Sequence, residues 1–200
     1  MNVVDKKKEI EKIRKEVVNL KQSSLYEYRT AHNYVPVIGE GSYDASIVFV
    51  GEAPGENEAK TGKPFCGRSG KLLDELLASI RLDRQNVYIT NVVNDRPQDN
   101  RDPTQEEINL YSTYLYKQFA VIQPKVIVML GRISMKAVFT HAGIENKLLP
   151  IGDIHGKSIK ATFPWGEAMV MPLYHPAYAL YNGSKKQILF DDFKKLKKFI

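Results

Sequence analysis

The chain has 200 residues, 43% of them hydrophobic and 26% charged, which is typical of a soluble globular protein. No apolar run approaches the length of a membrane span, and the single cysteine, Cys66, excludes an intramolecular disulfide and a metal site built from several thiolates. The formal net charge of +6 allows a polyanionic partner without establishing one. The first residues are charged and contain no apolar signal region, so we expect a cytoplasmic protein with no membrane partner.

The first predicted element is an amphipathic helix over about residues 4–20. Ile10, Ile13 and Val17 recur in it at helical spacing among lysines and glutamates. This pattern indicates that one face of the helix packs against the rest of the protein. We therefore expect residues 1–22 to be an N-terminal helix laid on the main body.

Strands alternate with helices through the rest of the chain. Apolar or β-branched runs predict strands at residues 47–50, 87–90, 125–130, 158–162 and 167–172. Helical spacing or capping signals predict helices after the first three strands and over about residues 184–200. This order predicts one domain over residues 1–200. Its fold class is a three-layer α/β/α sandwich with a mostly parallel, four-stranded central sheet.

Several polar residues that are hard to explain by structure alone follow the ends of predicted strands. The glycine-rich stretch 51–73 comes after the first strand, Asn91 after the second, and His175 after the last. Because the carboxyl ends of parallel strands share one edge of a sheet, we expect these segments to converge on one crevice. The chain has no phosphate-binding glycine fingerprint and no metal-ligand spacing, which favours recognition of a flat polar heterocycle.

Five motifs together resemble the family-4 uracil-DNA glycosylases. They are, in chain order, GEAPGENEAKTGKPFCGRSGKLL, VYITNVV, PTQEE, KVIVMLG and YHPAYAL. The likeness runs from about residue 39 to the end of the chain. It implies an enzyme that flips uracil out of DNA and hydrolyses its N-glycosidic bond, which initiates base excision repair.

The resemblance implies three catalytic residues, His175, Glu52 and Glu58. Glycosidic cleavage passes through a sugar with oxocarbenium character and a departing base anion. His175 would face uracil O2 as negative charge develops there, and the two carboxylates would lie beside the sugar. From the residues alone, a locally bonded loop histidine and two solvated loop carboxylates are the plainer interpretations.

The resemblance also implies the residues that bind the base. Phe65 would stack on the flat face of uracil, and the Asn91 carboxamide would pair with the pyrimidine edge. Gly51, Ala53 and Gly55 would complete the substrate pocket. The plainer alternatives are a core phenylalanine, a turn asparagine and glycines that serve tight turns.

The residues that flank the proposed site are expected to contact DNA. They are Arg68, Ser69, Lys71, Ala177, Leu180, Tyr181, Lys185 and Lys186. Ser69 could also cap the helix that follows it. The basic residues near the C-terminus could equally form a solvated helix face.

The chain departs from its family at the cofactor. Members usually carry four cysteines that hold a four-iron four-sulfur cluster, of which two would fall near residues 24–28, one at Asp95 and one at Tyr111. None of these is cysteine here, so we expect no cluster, no other metal and no cofactor. Tyr26, Tyr28 and Tyr111 could fill the space.

Two other functions stay open from the sequence. One is a catalytically weak module of the same fold that binds uracil-DNA or single-stranded DNA, and the other is a hydrolase of small nucleosides or nucleotides. A neighbouring family that traps uracil-DNA covalently is disfavoured, because the loop over residues 91–107 contains no histidine. We expect a monomer whose partner is uracil-containing DNA.

Overall fold

The fold is built on a six-stranded sheet, and the computed structural model describes residues 2–180 and 182–200 of the chain. The strands are β1 (Glu40–Gly41), β2 (Ile47–Gly51), β3 (Tyr88–Asn91), β4 (Val126–Leu130), β5 (Ile159–Phe163) and β6 (Gly166–Leu173). Their spatial order is β1-β3-β2-β4-β6-β5.

The four central strands β3, β2, β4 and β6 are parallel, and the edge strands β1 and β5 are antiparallel to their neighbours. The predicted α/β sandwich with a mostly parallel sheet is therefore confirmed. The predicted number of four strands is too small, because the antiparallel edge strands β1 and β5 extend the four parallel strands to six. Strand β1 has two exposed residues and gives no hydrophobic signal in the sequence.

Helices cover both faces of the sheet. They are α1 (Val3–Val18), α2 (Tyr26–Ala31), α3 (Glu56–Thr61), α4 (Arg68–Ser79), α5 (Gln105–Ile122), α6 (Arg132–His141), α7 (Ile151–Ile154), α8 (Pro176–Ala179) and α9 (Gly183–Lys194). Shorter 3₁₀ turns occur at Arg84–Asn86, Gln98–Asn100, Glu145–Lys147 and Lys195–Phe199. The predicted C-terminal helix is thus an α-helix that tightens into a 3₁₀ turn at its end.

The side chains of β2 alternate between two cores, as a strand covered on both faces requires. Val48 and Val50 belong to the core formed with α1, α5 and α6. Ile47 and Phe49 belong to the core formed with α4 and α9, where Phe49 stacks on Phe193 at 5.7 Å between ring centroids. Burial on both faces fixes the register of the strand and therefore the position of the loop that follows it.

The helix starts follow the predicted capping only in part. The predicted capping box of α5 is present: Thr104 Oγ1 accepts the Glu107 N–H, and the Glu107 carboxylate accepts the Thr104 N–H. The prediction that Ser69 caps a helix is wrong, because α4 begins at Arg68, with Gly67 as its N-cap, and Ser69 lies inside the first turn.

A buried polar network joins the N-terminal helices to the sheet and to α5. Arg29 Nη1 lies 2.9 Å from Asp95 Oδ2, and the Tyr111 hydroxyl donates to the same oxygen at 2.6 Å. Ser23 Oγ is 2.7 Å from the Tyr111 hydroxyl, and Arg29 also donates to two backbone carbonyls at the end of α1. The guanidinium thus bonds the C-terminal carbonyls of a helix and neutralises a buried carboxylate.

No helix among residues 2–180 and 182–200 combines the length and the apolar character that crossing a membrane requires.

We expect Asp95→Ala to lower the free energy of unfolding by about 3–5 kcal/mol, because it leaves the buried Arg29 charge without its partner. Urea unfolding followed by circular dichroism measures this change. The matched control is Glu167→Ala, which removes the exposed partner of Lys160 and should cost less than about 1 kcal/mol. Equal losses in the two variants would show that the network contributes no more than a surface ion pair.

Candidate active site

The loops after β2, β3 and β6 meet at one edge of the sheet and enclose a cavity of about 410 Å³. Its lining residues are Glu52, Ala53, Pro54, Gly55, Glu58, Phe65, Ser69, Asn91, Pro97, Asn100, Arg101, His175 and Ala177. The structure therefore brings together both predicted carboxylates, the phenylalanine, the carboxamide and the imidazole. The position agrees with the general rule that open α/β sheets bind ligands beyond the carboxyl ends of their strands.

Gly51 ends β2 and allows the pocket wall to close. A Cβ atom at this position would lie 2.3 Å from Asn91 Oδ1 and 2.7 Å from Phe65 Cζ. Contacts this short do not occur in folded proteins, so only glycine lets these two side chains approach each other across the end of the strand. The predicted role of Gly51 in the pocket thus has a steric basis.

Glu58 stabilises the loop that carries Phe65 through hydrogen bonds. Its Oε1 accepts the backbone N–H groups of Cys66 at 2.9 Å and Gly67 at 2.8 Å. Phe65 itself adopts the left-handed region with φ 50°, and its carbonyl oxygen would lie 1.7 Å from a Cβ at position 70. One carboxylate oxygen of Glu58 is therefore engaged in holding the unusual backbone on which the Phe65 ring is presented.

Asn91 is the last residue of β3 and pairs in parallel register with Gly51. It is only 2% exposed, yet in the described part of the chain its carboxamide makes no hydrogen bond. A buried amide without a protein partner costs free energy unless a ligand or water satisfies it. The donor and the acceptor of this side chain are therefore available to a bound molecule.

His175 precedes Pro176 and is the N-cap of α8. Its Nδ1 accepts the Ala177 N–H at 3.1 Å, and its ring lies 5.6 Å from that of Phe65, nearly parallel to it. Burial lowers the pKa of His175 to about 4, although the nearby Glu58 charge opposes this shift. The ring is thus neutral at pH 7, and because Nδ1 is an acceptor, the hydrogen is on Nε2.

Glu52 is the half-buried carboxylate of the pocket. Burial raises its pKa to about 7, the charge of Asp102 adds to this shift, and Arg132 opposes it. Its backbone carbonyl accepts the Val93 N–H, which joins it to the segment after β3. A carboxyl with a pKa near neutrality can accept a proton from water or release one under ordinary conditions.

The residues predicted to contact DNA flank this cavity to different degrees. Ser69 and Ala177 line it directly, and Arg68 and Lys71 are exposed on the first turn of α4. Leu180 is half-buried and packs on the core of the α4 and α9 face.

The lysines near the start of α9 have specific neighbours. Lys185 Nζ lies 5.4 Å from the ring centroid of Tyr174 and 5.5 Å from that of Tyr178, and Lys186 pairs with Glu75 of α4 at 2.8 Å. The interpretation of these lysines as a purely solvated helix face is therefore incomplete. Tyr181, which was also predicted to contact DNA, lies outside the described residues.

Four residues that line the cavity were not singled out from the sequence: Pro54, Pro97, Asn100 and Arg101. The last three belong to the segment after β3. The rule that selected Asn91, that residues beyond strand ends meet at one edge of the sheet, could have found them too.

The cluster positions hold side chains that do not fit an iron–sulfur group. Asp95 and Tyr111 are buried and bonded to each other, Asp95 also accepts from Arg29, and the chain has no second cysteine to provide thiolate ligands. Tyr26 and Tyr28 are half-buried; Arg29 lies over the Tyr26 ring. In the described part of the chain, no group of three or more histidine, cysteine, aspartate or glutamate residues could hold a metal ion.

The fold and the site define an α/β protein with a cavity at the carboxyl edge of a parallel sheet, lined by an aromatic ring, a carboxamide and an imidazole. Residues 38–198 match the uracil DNA glycosylase superfamily, and the chain belongs to that family. The family resemblance found in the sequence is confirmed.

Three relatives are similar over nearly the whole chain, and each is named a type-4 uracil-DNA glycosylase. That of Sulfurisphaera tokodaii is 49% identical and covers 94% of this chain and 83% of its own length. That of Archaeoglobus fulgidus is 43% identical, with coverage of 94% and 91%, and that of Saccharolobus solfataricus is 43% identical, with coverage of 91% and 82%.

Proposed function

We propose that this protein excises uracil from DNA by hydrolysing the N-glycosidic bond, the first step of base excision repair. As a member of its family the protein is a DNA glycosylase. The observation that carries the assignment of the site is the convergence of Phe65, Asn91 and His175 on one cavity. These side chains offer a stacking face, a paired donor and acceptor, and a neutral donor, which match a flipped uracil.

Asn91 and Phe65 select the base in this proposal. The free carboxamide can donate to uracil O4 and accept from N3–H, a pattern that the cytosine edge does not match. Discrimination of this kind is strong, because a wrong base leaves buried polar groups unpaired. Stacking on Phe65 adds about 1–3 kcal/mol without distinguishing pyrimidines.

His175 stabilises the departing uracil anion. The Ala177 N–H fixes the tautomer, so that Nε2–H is the donor directed at uracil O2. Because the pKa of the ring is about 4, His175 donates a hydrogen bond and does not transfer its proton. This interaction strengthens as charge develops on O2, which raises the rate more than the affinity.

Glu52 and Glu58 have different roles in the proposed mechanism. We assign to Glu52 the activation of water and the stabilisation of the sugar cation, because its pKa of about 7 lies where a general base is effective. Glu58, which binds two backbone N–H groups, positions the Phe65 loop and adds negative charge near the sugar. Ala53 and Gly55 line the same wall of the pocket.

Excision should depend on the ionisation of Glu52. A raised pKa means that the carboxylate is the major form only above about pH 7, so single-turnover rates should fall as the pH drops below that value. His175 contributes no change in this range, because it stays neutral above about pH 4. In Glu52→Gln the slower reaction should be nearly independent of pH between about pH 5 and pH 9. If the wild-type rate rises as the pH falls, the protonated form of Glu52 would be the active one instead.

DNA is proposed to lie across the mouth of the cavity, with its phosphates near α4 and α9. The basic residues on the first turns of these two helices support this placement: Arg68, Lys71, Lys185 and Lys186. Small residues, Ser69 and Ala177, line the cavity between them and leave room for a flipped nucleotide. We also propose that the chain acts as a single-domain monomer in the cytoplasm, where its DNA substrate would be found.

We propose that no cofactor takes part. The hydrogen-bonded Asp95 and Tyr111 stand at two positions where relatives would need thiolates, and Cys66 alone cannot hold a cluster. Purified protein should be colourless, contain less than stoichiometric iron and zinc, and keep its excision rate in chelator. Elemental analysis of the active fraction tests this directly. An iron content that corresponds to one four-iron cluster per chain would contradict it.

We expect His175→Ala to slow single-turnover excision by about a hundredfold to a thousandfold, the usual cost of losing one such donor. Gel detection of alkali-labile sites in uracil-containing oligonucleotides measures the rate, and binding of the same DNA should change little. The matched control, His32→Ala, removes an exposed histidine outside the pocket and should retain the wild-type rate. If wild-type protein binds uracil-DNA without cleaving it, the binding-module hypothesis is correct instead.

A further inference from the structure

Arg101 is the one cation among the described residues that line the cavity. The same lining contains two carboxyl groups, Glu52 and Glu58, whose negative charge repels the phosphates of an approaching DNA strand. A positive group at the rim would offset this repulsion. Among the described lining residues, Arg101 carries the charge that can do so.

Arg101 is held by a buried carboxylate. Its Nη2 lies 2.7 Å from Glu107 Oε1, and its Nη1 lies 2.8 Å from Glu107 Oε2. The Glu107 side chain is only 3% exposed, whereas that of Arg101 is 43% exposed. The ion pair with the buried Glu107 thus fixes the position of Arg101, while the guanidinium stays partly exposed to solvent.

Glu107 stays ionised and immobile. Ser24 Oγ donates to Oε1 at 2.7 Å, and the Thr104 N–H donates to Oε2 at 2.8 Å. Although burial raises the pKa of Glu107, the bonds from Arg101, Ser24 and Thr104 bring it down to about 2. The anchor of Arg101 is therefore charged at every pH at which the protein would work.

One edge of the guanidinium remains open. Glu107 uses one hydrogen on each terminal nitrogen, and the Asp102 carbonyl accepts the second hydrogen of Nη1 at 3.0 Å. Within the described part of the chain, Nε–H and the second Nη2–H have no acceptor. These two N–H groups lie parallel on one side of the planar group, which is the geometry that binds two oxygens of a phosphate.

The backbone before Arg101 is held in an uncommon conformation. Asp99 and Asn100 both adopt left-handed φ angles, 52° and 55°, and Arg96 Nε donates to Asn100 Oδ1 at 2.9 Å. Arg96 is itself buried, with its Nη1 bonded to the hydroxyls of two tyrosines. Two successive residues in this region persist only when their surroundings fix them, so Arg101 is presented by a rigid turn.

We propose that the open edge of Arg101 binds a phosphate of the uracil-carrying strand next to the flipped nucleotide, a role that rests on the glycosylase function proposed above. The base itself is satisfied by Asn91 and His175, which leaves the sugar-phosphate backbone as the partner for a cation at the rim. The contact orients the strand so that the glycosidic bond faces Glu52. Arg101 is thus a substrate-binding residue and does not take part in the chemistry.

A scan with neutral methylphosphonate linkages tests the contact from the substrate side. Each phosphate around a single uracil is replaced in turn, and affinity is measured for wild type and Arg101→Ala. One replacement should weaken wild-type binding on the order of tenfold, the effect of losing one charged hydrogen-bonding partner, and should have no further effect on Arg101→Ala. The slope of log affinity against log salt should fall by about one in the variant.

Two further variants separate this contact from general effects of charge or folding. Arg14→Ala removes an arginine that is paired with Glu11 on α1 and does not line the cavity, so its salt slope and its methylphosphonate profile should be those of the wild type. Arg101→Lys keeps the charge above Glu107 but lacks the parallel N–H pair, so it should lose most of the sensitivity at that one linkage.

The result that overturns the proposal is a methylphosphonate profile in Arg101→Ala that matches the wild-type profile at every linkage. Thermal unfolding of each variant confirms that it is folded under the conditions of the scan. The scan measures binding, and the glycosylase function is tested by excision in the wild type. An active wild type with an unchanged profile in the variant would therefore reject the phosphate contact alone, whereas an inactive wild type would reject the proposed function.

Discussion

The pocket depends on the absence of a side chain at Gly51. At the end of β2 the carboxamide of Asn91 and the ring of Phe65 approach the same Cα atom, and any larger residue would force them apart. Phe65 and Asn91 lie in different segments of the chain. The space left by the missing side chain of Gly51 therefore sets the distance between them. The strands fix the rest: Gly51 and Asn91 are paired in register, and both strands are buried on both faces.

Burial acts in opposite directions on two titratable groups of the proposed mechanism. It lowers the pKa of His175, so that the imidazole is a neutral donor, and it raises the pKa of Glu52 to about 7. The imidazole donor is already oriented by the Ala177 N–H before charge develops. In the proposed mechanism, stabilisation by this donor is therefore largest when the uracil anion forms, because no solvent or protein dipole has to reorient at that moment.

The sequence allowed the parallel sheet and most of the pocket to be predicted, since hydrophobic runs mark buried strands and Asn91 and His175 follow two of them. It did not reveal that Gly67, not Ser69, is the N-cap of α4, because a glycine N-cap has no side-chain signal. It also did not reveal Arg101, whose importance depends on a buried carboxylate and on a turn with left-handed residues. Neither of these follows from periodicity, and both become visible only when side chains are placed in space.

The network of Arg29, Asp95 and Tyr111 has a consequence for how this protein folds in a cell. The junction between the N-terminal helices, the segment after β3 and α5 consists of hydrogen bonds between side-chain and backbone groups of the chain itself, so it forms as the chain folds. A junction held by hydrogen bonds is also indifferent to oxidants that destroy thiolate–metal centres.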